Sequence, residues 1–553
     1  MAGLSTNAPG LWGGFAGLLY GSTSLSTPPG FLADATPAWV LPGAALDLDF
    51  ADSLGYNSRN LATTTPDSIL TYTSPSPKLV YGSDGVLRYA PHNLFLNSGA
   101  PATQNVTLIT GFSYTVTVTG SGSLAGSSGA SGTASAGNPA TFVATGTTGT
   151  FTLTGSLTTI QLNRAPAHSR YIPTTSAAVY SLPIDHNPIT FDPLGVLIEE
   201  QRTNLRTYSE QFDSGVWTNS ASAVTANTST SPDGGVNADK LSEDTTSNIH
   251  RLANFASYTS GTVYTWSVYA KQSGRFLYIN AAAIAARAVF HLSNGTTSAA
   301  VGTSTITDVG GGWYRCSVTG TAPATTSTSM FMQINNSYAA SDLTYLGDGT
   351  SGIYLWGAQL EAGSFPTSYI PTVASQVTRA ADQVSILTSA FGYNAAESTL
   401  VVEALIPNIN GVPSNLLSTT ANILYTYRLN STTMYLYGLT GGAFMVGIAA
   451  GGAPSASFNK FAWAAKQDDF AISANGGAVS PDTLGNMPAS ATTLQIGGYD
   501  NGSTKKADGH IKRITYFPTR KSNADLQVLT RGDDLVWGIG DYLVWGSGNN
   551  LTW

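Results

Sequence analysis

Glu199 and Glu200, in LGVLIEEQRTNL, are two adjacent carboxylates in an otherwise apolar run. Two carboxylates flanking a glycosidic bond can hydrolyse it, but neighbours on a strand point to opposite faces. The pair therefore reads as structural, ion-pairing to Arg202 or Arg206 at a domain junction. The six histidines, at 92, 168, 186, 250, 291 and 510, have no H-x-x-H or H-E-x-x-H spacing, so no transition-metal site is expected. Cys316, between Arg315 and Ser317, reads as a buried inert thiol. Asp233, Asp239, Glu243 and Asp244 are acids in a loop-like run without EF-hand spacing. A structural calcium is the one cofactor they would suit. With no triad order and no nucleophile elbow, the chain reads as a non-enzyme.

Aromatic side chains beside polar ones are the remaining candidates for ligand contact. Aromatic faces stack on the apolar face of a pyranose, and polar side chains bond its hydroxyls. In YTWSVYAKQSGRFLYINA, alternation puts Trp266, Val268 and Ala270 on a core face and Ser267, Tyr269 and Lys271 on the other. Tyr269 and Lys271, with Arg275 and Tyr278 beside the turn at Gln272-Ser273-Gly274, are one candidate set. Tyr499, Asp500, Asn501 and Lys505, in a polar loop between strands, are the other. Trp356 is expected in the core.

The elements that carry these residues are strands. Charged residues are 10% of the 553, against roughly 25% in ordinary soluble domains. Low charge with much Gly, Ser and Thr suits extended β-proteins, and 42% hydrophobic residues are enough for real cores. The net charge of -8 argues against nucleic acid as a partner. The single cysteine excludes an intrachain disulfide framework. The start, MAGLSTNAPGLWGGFAGLLYG, is broken by Gly and lacks a basic region, so neither a signal peptide nor membrane insertion is expected. A protein of this kind acting outside a cell would leave by lysis or within a particle.

The chain carries an internal duplication. Gln359-Leu360 and Tyr369-Ile370-Pro371-Thr372 echo Gln161-Leu162 and Tyr171-Ile172-Pro173-Thr174; Asn204-Leu205 echoes Asn93-Leu94. The expected order is an N-terminal anchoring segment (1–45), a first degenerate β-sandwich unit (46–174), a bridge (175–203), a fuller jelly roll (204–372), a third β-unit (373–530) and a Trp-rich tail (531–553). Gly/Ser-rich GSGSLAGSSGASGTASAGN within the first unit reads as a loop. Along GIYLWGAQLEAG, Ile353, Leu355 and Gly357 are expected on one face, and Tyr354, Trp356 and Ala358 on the other. The one helix expected lies in TRKSNADLQVLT, with Ser522 or Asn523 as its N-cap.

FDPLGVLIEEQRTNLRTYSEQFDSGVWT, TVYTWSVYAKQSGR, GGWYRCSVT and GIYLWGAQLEAGSFPTSYIPT together resemble the repeated module of tailed-phage fibre and head-spike proteins, a jelly roll similar to carbohydrate-binding modules. The third unit, with FAWAAKQDDFAISANGG and DGHIKRITYFPTRKSNADLQVLT, resembles the concanavalin A-like (laminin-G-like) sandwich. The resemblance implies an all-β, multidomain chain: tandem jelly-roll β-sandwiches followed by a concanavalin A-like sandwich. It also implies a virion structural protein, tail fibre or head spike, that binds host-surface polysaccharide and docks on other virion proteins through its N-terminus. Leu535, Trp537, Leu543, Trp545, Leu551 and Trp553 would join subunits into a homo-oligomer, expected as a trimer. The alternatives are a capsid or tail decoration protein without a ligand, and a depolymerase tail spike; the latter usually needs a repeat ladder that is not seen here.

Overall fold

The structure is a computed structural model that describes residues 40–57, 65–74, 76–406, 414–419, 423–430, 433–440, 443–450, 458–487, 491–498, 507–531, 535–538 and 541–544. It is an all-β, multidomain chain of antiparallel sheets. The α-helices among the described residues are Pro66–Ile69 and Asn523–Leu529, and no described helix is long and apolar enough to cross a membrane. Ser522 caps the second: its side chain accepts from Asp525 N while the Asp525 carboxylate accepts from Ser522 N.

The C-terminal unit is a two-sheet sandwich, with nine strands in one sheet and seven in the other. Leu400, Val402, Phe461 and Ile514 of the larger sheet meet Val384, Ile386, Leu494 and Ile496 of the smaller in one core. Its strands come from three separate parts of the chain. Leu46–Asp49 and Pro193–Ile198 both pair with the same edge of Gly509–Phe517, and Thr71–Thr73 pairs with Gln383–Leu387. Buried Asp47 accepts from Arg513 Nη2 at 2.7 Å and Thr515 Oγ1 at 2.9 Å, fixing the first of these strands. This moves the boundaries read from the sequence. Residues 46–73 leave the first unit, and the bridge 175–203 supplies two sandwich strands. The first unit and the jelly roll are insertions into one discontinuous sandwich.

The jelly roll has two six-stranded sheets. Trp266, Val268 and Ala270 of Val263–Ser273 lie fully in its core, as alternation requires, and so does Cys316, whose thiol burial pushes well up. The closing strand Gly352–Ala362 departs from simple alternation. Ile353 and Leu355 face the core, but so do Ala358 and Leu360. A β-bulge opposite Val268 resets the register, with Gly357 at φ +62°, and the extra residue returns the following side chains to the same face. A Cβ at Gly357 would lie 2.9 Å from the Tyr269 ring.

The first unit is one five-stranded sheet built on two 16-residue strands, Ser113–Ser128 and Thr148–Asn163. The Gly/Ser-rich stretch is therefore strand through Ser128 rather than loop. Backbone pairing needs no particular side chain, and here glycine is required. A Cβ at Gly122 would sit 2.2 Å from Thr154 O across the ladder.

The duplication is reproduced atom for atom. Asn93 Nδ2 donates to Ile160 O and Ile172 O, and its Oδ1 accepts from Phe95 N and Leu162 N. Asn204 Nδ2 donates to Ala358 O at 3.1 Å and Ile370 O at 2.8 Å, and its Oδ1 accepts from Arg206 N and Leu360 N. Gln161 and Gln359 each accept from the following Ile N at 2.7 Å. Ser98 meets Tyr171 OH and Thr174 N, as Ser209 meets Tyr369 OH and Thr372 N. One fully used buried amide thus ties the start of each unit to its end. Asn204→Ala strands these buried partners and is expected to lower jelly-roll stability by about 2–4 kcal/mol. Exposed Asn219→Ala should change it by less than about 0.5 kcal/mol. Urea unfolding followed by tryptophan fluorescence compares the two, and equal losses would refute the clasp.

Candidate functional site

Where the sandwich, the hairpin Leu79–Tyr81/Leu87–Tyr89 and the jelly roll meet, four charges are buried together. Lys78 Nζ contacts Asp382, lies 3.1 Å from Glu199 Oε2 and donates to Leu197 O. Arg379 Nη1 is 3.4 Å from Glu199 and 3.9 Å from Asp382, and its Nη2 donates to Glu200 O. Tyr72 OH and Glu199 N donate to Asp382, and Ser368 donates twice to Glu199, through N and Oγ, at 2.7 Å each. Burial alone would raise the Glu199 carboxyl, but Arg379 and Lys78 outweigh it and hold the group far below the usual carboxylate range. Two cations and two anions balance, which a water-poor junction requires. Glu200 pairs with Arg202. Arg206 takes another role, donating to Asn254 and Tyr258 inside the jelly roll.

Beside this cluster lies a cleft of about 190 Å³ lined from all three parts, among them Tyr81, Asp185, Arg315, Asp508 and His510. His510 Nε2 is 2.8 Å from Asp185 Oδ2, and Asp185 Oδ1 accepts from Tyr81 N. Asp508, at φ +46°, accepts from Glu200 N; burial, then the Glu200 charge, pushes its carboxyl up to about 7. A low and a high carboxyl side by side resemble an acid–base pair. Glu199, however, spends its oxygens on Lys78, Arg379 and Ser368, and has none left for a nucleophile's task. The volume also falls below the roughly 300–1,000 Å³ of drug-sized ligand sites.

The sugar candidates read from the sequence are not brought together. Tyr269 and Lys271 stand in one jelly-roll sheet, Tyr278 in the other, and Arg275 at the turn between them. Tyr269 is 2% exposed and packs on Trp356 and Tyr369 with Leu79 and Leu87 of the hairpin beside it. The expectation that this second face stands open is corrected: the hairpin covers it. Tyr278 is 1% exposed, so its ring is not open to a sugar either. Lys271 Nζ donates to Gly311 O at 2.8 Å, and Arg275 forks onto Glu243 and reaches Asp348. Tyr499, Asp500, Asn501 and Lys505 lie outside the described residues, as do Trp545, Leu551 and Trp553. Leu535, Trp537 and Leu543 fall on the hairpin Leu535–Gly538/Asp541–Val544. The acids weighed for calcium are engaged separately. Asp239 accepts from Phe212 N and Asn227 N, Asp233 from Gly235 N, and Asp244 from Thr246; Glu243 holds Arg275 and Tyr345. Among the described residues no group of three or more His, Cys, Asp or Glu could hold a metal. Lys78, Asp382 and Asp508 escaped the sequence reading because their partners lie up to about three hundred positions away; scarcity of charge was the only signal.

No family model matches the chain, and no curated protein matches it. Among solved structures, the mouse laminin alpha1 chain, domains LG4-5, is similar over 50% of this chain and 89% of its own, at 10% identity and a TM-score of 0.18. A score that low adds nothing to the strand order, on which the sandwich rests.

Lys78→Met leaves Glu199 and Asp382 one cation short and is expected to cost about 3–5 kcal/mol. Asp508 gives a second test. Its folded pKa is raised, so the native state holds a proton that the unfolded chain releases near pH 4. Its contribution to stability therefore falls as pH rises from about 4 to 7. Asp508→Asn is expected to gain on the order of 2 kcal/mol over the parent at pH 8 and little at pH 4. Thermal melts at both pH values read the difference, and an equal shift at both would refute it.

Proposed function

We propose that this chain is a virion structural protein of a tailed phage, a tail fibre or head spike, displaying lectin-like modules that bind host-surface glycans during adsorption. The observation that carries the reading is the repeated clasp, which marks two units of duplicated design, both inserted into one two-sheet sandwich. Several weak sugar sites on one particle add up to avidity without new contacts. Residues 1–45 would dock on other virion proteins. The covered rings of Tyr269 and Tyr278 favour a second reading, a decoration protein without a ligand. The depolymerase reading has no such support, since Glu199 is saturated with partners.

Purified full-length protein is expected to bind host cells and their surface polysaccharide saturably, with polymer length unchanged over time. Shortening of the polymer would move the protein to the depolymerases. Binding to neither would favour the decoration reading.

The Trp-rich tail is proposed to join subunits, with the hairpin Leu535–Gly538/Asp541–Val544 at its centre. Deleting 533–553 should convert a trimer to monomers by light scattering. An unchanged oligomer would place the interface elsewhere.

A further inference from the structure

A second cleft, of about 360 Å³, lies between the first unit and the exit of the jelly roll. That volume falls within the range of ligand sites. Its walls include Arg164, Tyr114, Tyr180, Tyr369, Pro371 and Arg379, and no Asp or Glu lines it. Such a lining is unusual in a chain with net charge -8.

The two guanidiniums differ. Arg379 is balanced from behind by Glu199 and Asp382. Arg164 is 6% exposed and stands over the rings of Tyr89, at 4.8 Å, and Phe112, at 5.0 Å. Its Nε is buried without a hydrogen-bond partner, and no carboxylate of the described residues pairs with it. A buried cation held by ring faces and the Tyr89 hydroxyl lacks the carboxylate that normally offsets its lost hydration. The free edge of a guanidinium matches a carboxylate with two parallel hydrogen bonds. The rest of the wall mixes apolar and aromatic residues, among them Leu94, Ile370 and Tyr180, whose ring stacks on His92, with the hydroxyls of Ser76, Thr107 and Thr378. One positive charge in a roomy, largely apolar cleft suits a ring body carrying one negative group better than a bare ion.

We infer that the cleft between the first unit and the jelly roll binds a carboxylate-bearing sugar unit of an acidic polysaccharide, its carboxylate on Arg164 and its ring against the aromatic and apolar wall. This deepens the glycan-binding reading and rests on it.

The test is calorimetric titration of the full chain with galacturonate oligomers, the same oligomers reduced to neutral galactose units, and inorganic phosphate. Binding of the acidic oligomer alone is expected. Arg164→Gln should weaken it about ten- to a hundredfold, the reach of one charge-assisted fork. Thr378→Glu, on the exposed rim, puts a negative charge at the cleft without disturbing the buried arginine, so it tests the site even where Arg164→Gln fails to fold. It too should weaken binding at least about tenfold. Equal affinity for the neutral oligomer, or unchanged affinity in a folded Arg164→Gln and in Thr378→Glu, would overturn the inference. So would phosphate displacing the sugar at comparable concentration, which would mark a plain anion site. Host cells bound by the wild type but not through acidic oligomers would overturn this inference and leave the adsorption role standing. Loss of both would sink the two together.

Discussion

The buried charge cluster of Lys78, Glu199, Arg379 and Asp382 is the constraint around which the molecule is arranged. Each member marks a crossing between the sandwich and an inserted unit. Lys78 precedes the first unit, Glu199 precedes the jelly roll, and Arg379 and Asp382 follow it. Charges in a low-dielectric junction tolerate little displacement, because each loses its neighbour's field before it regains water. The cluster fixes where the chain may leave the sandwich and where it must return. The hairpin 79–89 continues directly from Lys78 and covers Tyr269, so the same ion pairs also decide which jelly-roll face is closed.

The clasps do the complementary work within each unit. Asn93 and Asn204 each have two donors and two acceptor sites, and each spends all four on the backbone. No other side chain of that length offers this set, which is why the amide recurs at the start of both units. The left-handed residues Asn97 and Tyr208, at φ 48° and 51°, turn the chain just beyond each clasp. Tyrosine there is strained, and the pair Ser209–Tyr369 closes around it at 2.6 Å.

These features divide what the sequence could reveal from what it could not. The duplicated Asn-Leu, Gln-Leu and Tyr-Ile-Pro-Thr pieces were legible because each clasp uses the same residues in the same roles. The core of Val263–Ser273 was legible from period-two alternation. The bulge at Gly357 was not, since a one-residue register shift leaves no trace in composition, and it carried Ala358 and Leu360 to the core side. The strand through Gly120–Ser128 was hidden for a similar reason: its pairing is a backbone matter, and its glycines mark close approach, not a turn. The candidate site was the least legible part. Nothing in QLNRAPAHSR marks Arg164, and only the fold places it between Tyr89 and Phe112 without an acid. Likewise nothing local in SPSPKLVYG announced that Lys78 would meet an aspartate hundreds of residues on.

The strand Gly509–Phe517 touches the earliest described strand, Leu46–Asp49, as well as Pro193–Ile198 and Glu397–Leu405. It lies near the middle of its sheet and leaves the ribosome after all three of these partners. The inserted units, whose strand pairings are internal to each, can fold as they emerge, while the segments 46–73 and 184–198 must wait for a partner made much later. Folding is thereby ordered in time: the two arms form first and the platform that carries them closes last. A chain cut short before residue 509 would keep its arms but lack the central strand of the platform. Completeness of synthesis is checked by the sheet itself.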